Sequence, residues 1–99
     1  MASEGLHESS ELLDAETIDQ HRAIVSLREE LEAIDWYHQR VNATSDADLA
    51  AVLAHNRDDE KEHAAMLLEW LRRRDTALDR ELRKYLFTTG TIGRLEEPK

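Results

Sequence analysis

Ninety-nine residues without a cysteine allow one small domain and exclude disulfides and thiolate metal sites. No apolar run approaches the roughly 20 residues that span a bilayer, and the N-terminus lacks a basic-then-apolar signal, so a cytoplasmic chain with no membrane partner is expected. A formal net charge of -9 argues against nucleic acid, whose phosphates need clustered Lys and Arg.

In chain order, Met1 to Leu13 is polar and carries Ser9-Ser10, as expected of a flexible arm over residues 1–13. A first helix is predicted from Asp14 to Asn42, with Asp14, Thr17 and Asp19 supplying a cap and early acidic residues. Asn42-Ala43-Thr44-Ser45-Asp46 reads as a turn, with Ser45 or Asp46 capping a second helix over Ala47 to Arg74. The basic end of that helix, Arg72-Arg73-Arg74, complements its negative pole rather than marking a phosphate site. A shorter third helix runs from Asp75 to Phe87 until Thr88-Thr89-Gly90 breaks it, and residues 88–99 form a tail. The fold class is therefore all-α: an antiparallel two-helix hairpin plus a short C-terminal helix, in one helical domain over residues 14–87. Each long helix would reach about 40 Å at about 1.5 Å per residue. Two helices cannot enclose a core, so completion of a four-helix bundle by homodimerisation is expected.

The seams carry the chemistry. In the first helix, Ala23, Leu27, Glu30, Ile34, Tyr37 and Val41 step by fours and threes along one side, and Val25 and Leu31 widen the row. Glu30 is the anomaly, a carboxylate inside an apolar and aromatic stripe. In the second, Leu49, Leu53, Asn56, Glu60, His63, Leu67 and Trp70 repeat the spacing with ionisable groups mid-row. Antiparallel helices bring middle to middle, so Glu30, Glu60 and His63 should meet at one level. Buried carboxylates without partners cost several kcal/mol. Their convergence calls for a cation, and oxygen and nitrogen ligands without sulfur favour iron or manganese.

One hairpin offers too few ligands for two metals. A two-fold dimer doubles the set to two Glu30 and two Glu60-x-x-His63 pairs, which resembles the ligand set of ferritin-like di-iron bundles. Four carboxylates with neutral imidazoles balance two ferrous ions, and an isologous interface puts the centre on the dyad. Singly these signals are weak: Glu-x-x-His recurs by chance, and a seam Glu often snorkels to an edge. Their coincidence at one level carries the metal reading.

Tyr37 follows Glu30 on the same side and either bonds a ligand, donates an electron or packs with its hydroxyl at the rim. Trp36 and Trp70 read as packing anchors. Asn56 either orients a ligand or is a satisfied amide. Glu29 and Glu32 form an acidic funnel or a solvated face. His55, Asp59 and Glu62 have surface metal-ligand spacing that exposed polar residues explain equally well. His7, His21 and His38 have no partner legible in the sequence.

The segments His21-Arg22-Ala23-Ile24-Val25-Ser26, Glu29 through Tyr37, His55 through Met66 and Glu69-Trp70-Leu71-Arg72-Arg73 carry a resemblance. Over about Glu16 to Phe87 the chain resembles the encapsulated ferritins, iron-oxidising cargo proteins of encapsulin nanocompartments. The resemblance implies that residues 14–87 are half of a ferritin-like bundle, and that the chain is a ferroxidase acting on Fe(II) and dioxygen. It implies a decamer of five dimers, whose interfaces hold di-iron centres with Glu30, Glu60 and His63 as ligands and Tyr37 and Trp36 close by. Glu29 and Glu32 match an acidic site where calcium also binds. His55, Asp59 and Glu62 match an outer metal site, although Asp59 stands where a relative has Glu. The resemblance further implies location inside an encapsulin shell, which holds the iron mineral, and a C-terminal docking peptide. No such peptide is legible between Gly90 and Lys99, as expected of a truncated chain.

Two other readings of the residues stay open at this level. One is a non-enzymatic helical oligomerisation or adaptor protein that uses the buried polar trio to fix register. The other is a di-metal enzyme of different oxygen or peroxide chemistry, for whose substrate the seams leave little room.

Overall fold

Each long helix begins on an aspartate. Asp14 and Asp46 accept the N–H groups of Thr17 (2.7 Å) and Leu49 (2.9 Å), satisfying donors that the first turn of a helix leaves free. The computed structural model, which describes residues 5–94, accordingly has α1 over Ala15–Ala43 and α2 over Ala47–Arg74. Between them the Asp46 N–H donates to Thr44 Oγ1 (3.1 Å), folding the connection into a tight turn. α1 and α2 pack together as the expected hairpin, and the fold is all-helical among the described residues. No helix among them is long and apolar enough to cross a membrane.

α3 spans Thr76–Tyr85 and ends short of Phe87, where the sequence pattern placed its end. Leu86 is extended and Phe87 has a left-handed φ of 61°, so the helix cannot continue through them. The Tyr85 carbonyl freed by this stop accepts from Thr88 Oγ1 (2.6 Å). Ahead of α1, Ser9 caps a short 3-10 turn over Ser10–Leu12. Another 3-10 turn covers Ile92–Arg94, and residues 1–4 and 95–99 of the expected arm and tail lie outside the described residues.

Asp75 ends α2 and caps α3 through the Leu78 N–H (2.9 Å), a one-residue elbow. Arg72 braces it, donating from two nitrogens to Glu69 (both 2.7 Å) and from a third to Asp79 across the bend. Arg73 adds a bond to Glu69 (2.7 Å) and Arg83 one to Asp79 (2.9 Å). The bonds from Arg72 and Arg73 pull the Glu69 carboxyl from its ordinary 4.5 to about 2, and Arg72 lowers Asp79 as well. A depressed carboxylate contributes stability above its unfolded pKa and loses it as pH falls through the folded value. Amide chemical shifts of α3 are therefore expected to keep helical values down to about pH 4.5 and to lose them toward about pH 2. Melting of α3 at neutral pH would contradict this bracing.

The core is thin. Among the described residues only Ala23, Ala64 and Leu71 are buried, two of them small enough to let the helix backbones approach closely. Leu31, expected to widen the buried row around Glu30, is 54% exposed, and Ile24, Trp36, Leu49, Val52 and Met66 are exposed too. The physical reason is geometric: two cylinders cover only the strip where they touch, leaving the flanks of each stripe in water. At the far end of the hairpin, Arg74 lies over the Trp70 ring (4.6 Å to its centroid) and pairs with Glu16 (3.0 Å), tying α2 to the start of α1.

Candidate metal centre

The antiparallel crossing of α1 and α2 sets Glu30, near the middle of one helix, against Glu60 and His63, one turn apart on the other. His63 Nδ1 lies 3.6 Å from Glu30 Oε2 and 3.7 Å from Glu60 Oε2. The three ligand atoms all fall within 4.8 Å of one another, the only such group of three among the described residues. Neither contact is short enough for a hydrogen bond. Glu30 Oε2 is buried and has no hydrogen-bond partner among the described residues.

An orphaned buried carboxylate oxygen is unfavourable unless something positive completes it. The donor set, two carboxylates and an imidazole, suits a first-row cation. Ligand atoms bound at about 2.1 Å to one ion lie at most about 4.2 Å apart, and both separations from Nδ1 fall below that limit. Two carboxylates and an imidazole from one chain leave coordination positions open. The glutamate side chains are each about one-quarter exposed, whereas His63 is 45% exposed and opens the cluster to the surface on the α2 side.

The other sequence-predicted residues do not join this trio. Tyr37 is half-buried on α1, with the Arg40 guanidinium 5.3 Å from its ring centroid, and Trp36 is exposed. Glu29 and Glu32 are exposed on α1. His55 Nε2 stands 3.3 Å from Asp59 on the surface of α2, and Glu62 is exposed without forming a three-ligand group with them. Asn56 donates to the Val52 carbonyl (3.1 Å), so one donor of its amide is satisfied within α2. Replacing Asn56 by Ala is accordingly expected to leave divalent-metal affinity unchanged in a calorimetric titration, and a large loss would show that this amide acts on a ligand.

The sequence pattern does not point to a contact that links the helices beside this trio. Arg57 donates to His38 Nδ1 (3.1 Å), bridging the helices on the way from the trio to the turn, and also pairs with Asp58 (3.0 Å). The hairpin register contains part of the signal: once Glu30 faces residues 60 and 63, residue 38 falls opposite residues 52–55, within one turn of the long Arg57 side chain. Arg57, with Lys61, holds the Asp58 carboxyl below its ordinary range.

A sequence model of the EncFtn-like family matches residues 5–89. The "Encapsulated ferritin-like protein" of Rhodospirillum rubrum is 60% identical over 95 residues, covering 96% of this chain and 68% of that protein. The "Ferritin-like protein" of Thermotoga maritima is 53% identical over 91 residues, covering 92% of this chain and 80% of that protein. A crystal structure of a protein from Nitrosomonas europaea, 65% identical, superposes with a TM-score of 0.86 over 89% of this chain and 97% of that one.

Proposed function

The chain belongs to the EncFtn-like family of encapsulated ferritin-like proteins, and from that membership we propose that it oxidises Fe(II) at a di-iron centre shared by two copies. The observation that carries this reading is the buried, unbonded Glu30 Oε2 beside Glu60 and His63. A dyad through the open flank at His63 brings a second trio to face the first. Four carboxylates then balance the charge of two ferrous substrates, which removes the penalty of burying Glu30. Holding both ions in one site lets each give one electron to the same dioxygen molecule, which with two protons becomes hydrogen peroxide. The carboxylate ligands favour the ferric product electrostatically, and the open positions let it leave.

Glu29 and Glu32, exposed beside Glu30, act in this reading as an acidic funnel that draws ferrous ions, and calcium with them, toward the centre. Tyr37 packs at its rim. The exposed apolar flanks of both helices support self-association, with five dimers closing a ring. The relative from R. rubrum is named as encapsulated, which supports an encapsulin shell as partner and as the compartment where product iron collects.

Simultaneous measurement of dioxygen uptake and Fe(II) loss tests the activity. The expected result is two irons oxidised per dioxygen in a fast phase that saturates at one iron per chain. A rate no higher than that of protein-free buffer would contradict it.

A further inference from the structure

Met66 lies one turn after His63 on α2 and is 60% exposed. Its thioether borders a shallow surface groove with Glu62 and Trp70. Residues three apart on a helix hold their Cβ atoms about 5–6 Å from each other, so Met66 stands directly beside the half-exposed imidazole of the trio. Within the single chain it packs no core and offers no ligand to the trio, and in the two-copy reading above it lies on the flank that the second trio faces, close to where peroxide forms. What it presents is a soft sulfur that two-electron oxidants attack readily.

We propose that Met66 is a modification site, converted to methionine sulfoxide by hydrogen peroxide released at the adjacent cluster. The inference rests on the iron-oxidising reading above, which supplies the oxidant: two ferrous ions lose one electron each, and dioxygen takes both with two protons. The thioether sulfur then attacks one peroxide oxygen. An S–O bond forms as the O–O bond breaks, and the second oxygen leaves as water with both protons. Sulfur loses two electrons and peroxide gains them. The chain thereby consumes one peroxide before it diffuses away, and an apolar side chain next to Trp70 becomes polar until a sulfoxide reductase restores it.

The test loads full-length protein with Fe(II) under nitrogen, admits air in the presence of catalase, and locates added oxygen by peptide fragmentation. Expected is one oxygen atom on Met66 at a level several-fold above that in Glu30→Ala treated identically, and no such increment in the same peptide of Met66→Leu. Hydrogen peroxide added without iron should oxidise Met66 equally in wild type and Glu30→Ala. Iron oxidised at full rate with Met66 at the Glu30→Ala level would overturn the inference and leave the iron reading standing. Loss of the modification on adding catalase would overturn it too, by tracing the oxidant to bulk solution. Absence of any iron oxidation would overturn both.

Discussion

Glu30→Ala is expected to lower the fast phase of iron oxidation by at least about 100-fold, because losing even a residue that merely supports a metal ligand costs about 10–100-fold. The same substitution should leave the metal-free chain as stable as wild type or more so. It removes a buried carboxylate oxygen that has no hydrogen-bond partner among the described residues, and with it an uncompensated desolvation penalty. Activity and stability thus move in opposite directions, the signature of a residue kept for chemistry rather than for folding. Stopped-flow absorbance with Fe(II) and thermal melts under chelation read the two sides separately. Wild-type oxidation rates in this variant would remove Glu30 from the centre. A steep fall in apo stability would instead mean that Glu30 holds the hairpin together.

Leu71→Ala is expected to destabilise the fold by about 2–3 kcal/mol, at the low end for a buried leucine because a two-helix seam collapses around a lost side chain more easily than a closed core. Leu71 is only 6% exposed, and alone among the buried residues of the described chain it has a long side chain. In a chain this small the melting temperature should fall by roughly 8–24 °C at fixed protein concentration. Holding the concentration matters, since any self-association contributes to apparent stability. A change within experimental scatter would mean that the seam is held by the polar clasp at Arg74 and Glu16 and by contacts between copies, with little from Leu71.

The hairpin was legible because its signals are local. Asp14 and Asp46 mark helix starts by the spacing of a side chain to the N–H three residues on, and the structure uses both. The meeting of Glu30 with Glu60 and His63 was legible for a related reason: a short turn fixes the antiparallel register, and register fixes which midpoints face. What escaped depends on information outside any window. The stop of α3 at Tyr85 comes from a left-handed Phe87, a conformation that phenylalanine does not advertise. The brace from Arg72 to Asp79 follows from the angle of the elbow, which the sequence pattern does not encode. Leu31 looked like core because an apolar residue beside a seam reads as buried, yet a single hairpin has nothing to lay over it.

The most direct test of the account is a crystal structure grown anaerobically with ferrous salt, with data collected at the iron absorption edge. It should reveal two iron atoms near a molecular two-fold axis, each within about 2.0–2.2 Å of carboxylate oxygens from Glu30 and Glu60 and of a His63 nitrogen. Iron absent from that position, with the three side chains turned to solvent and no dyad beside them, would contradict it.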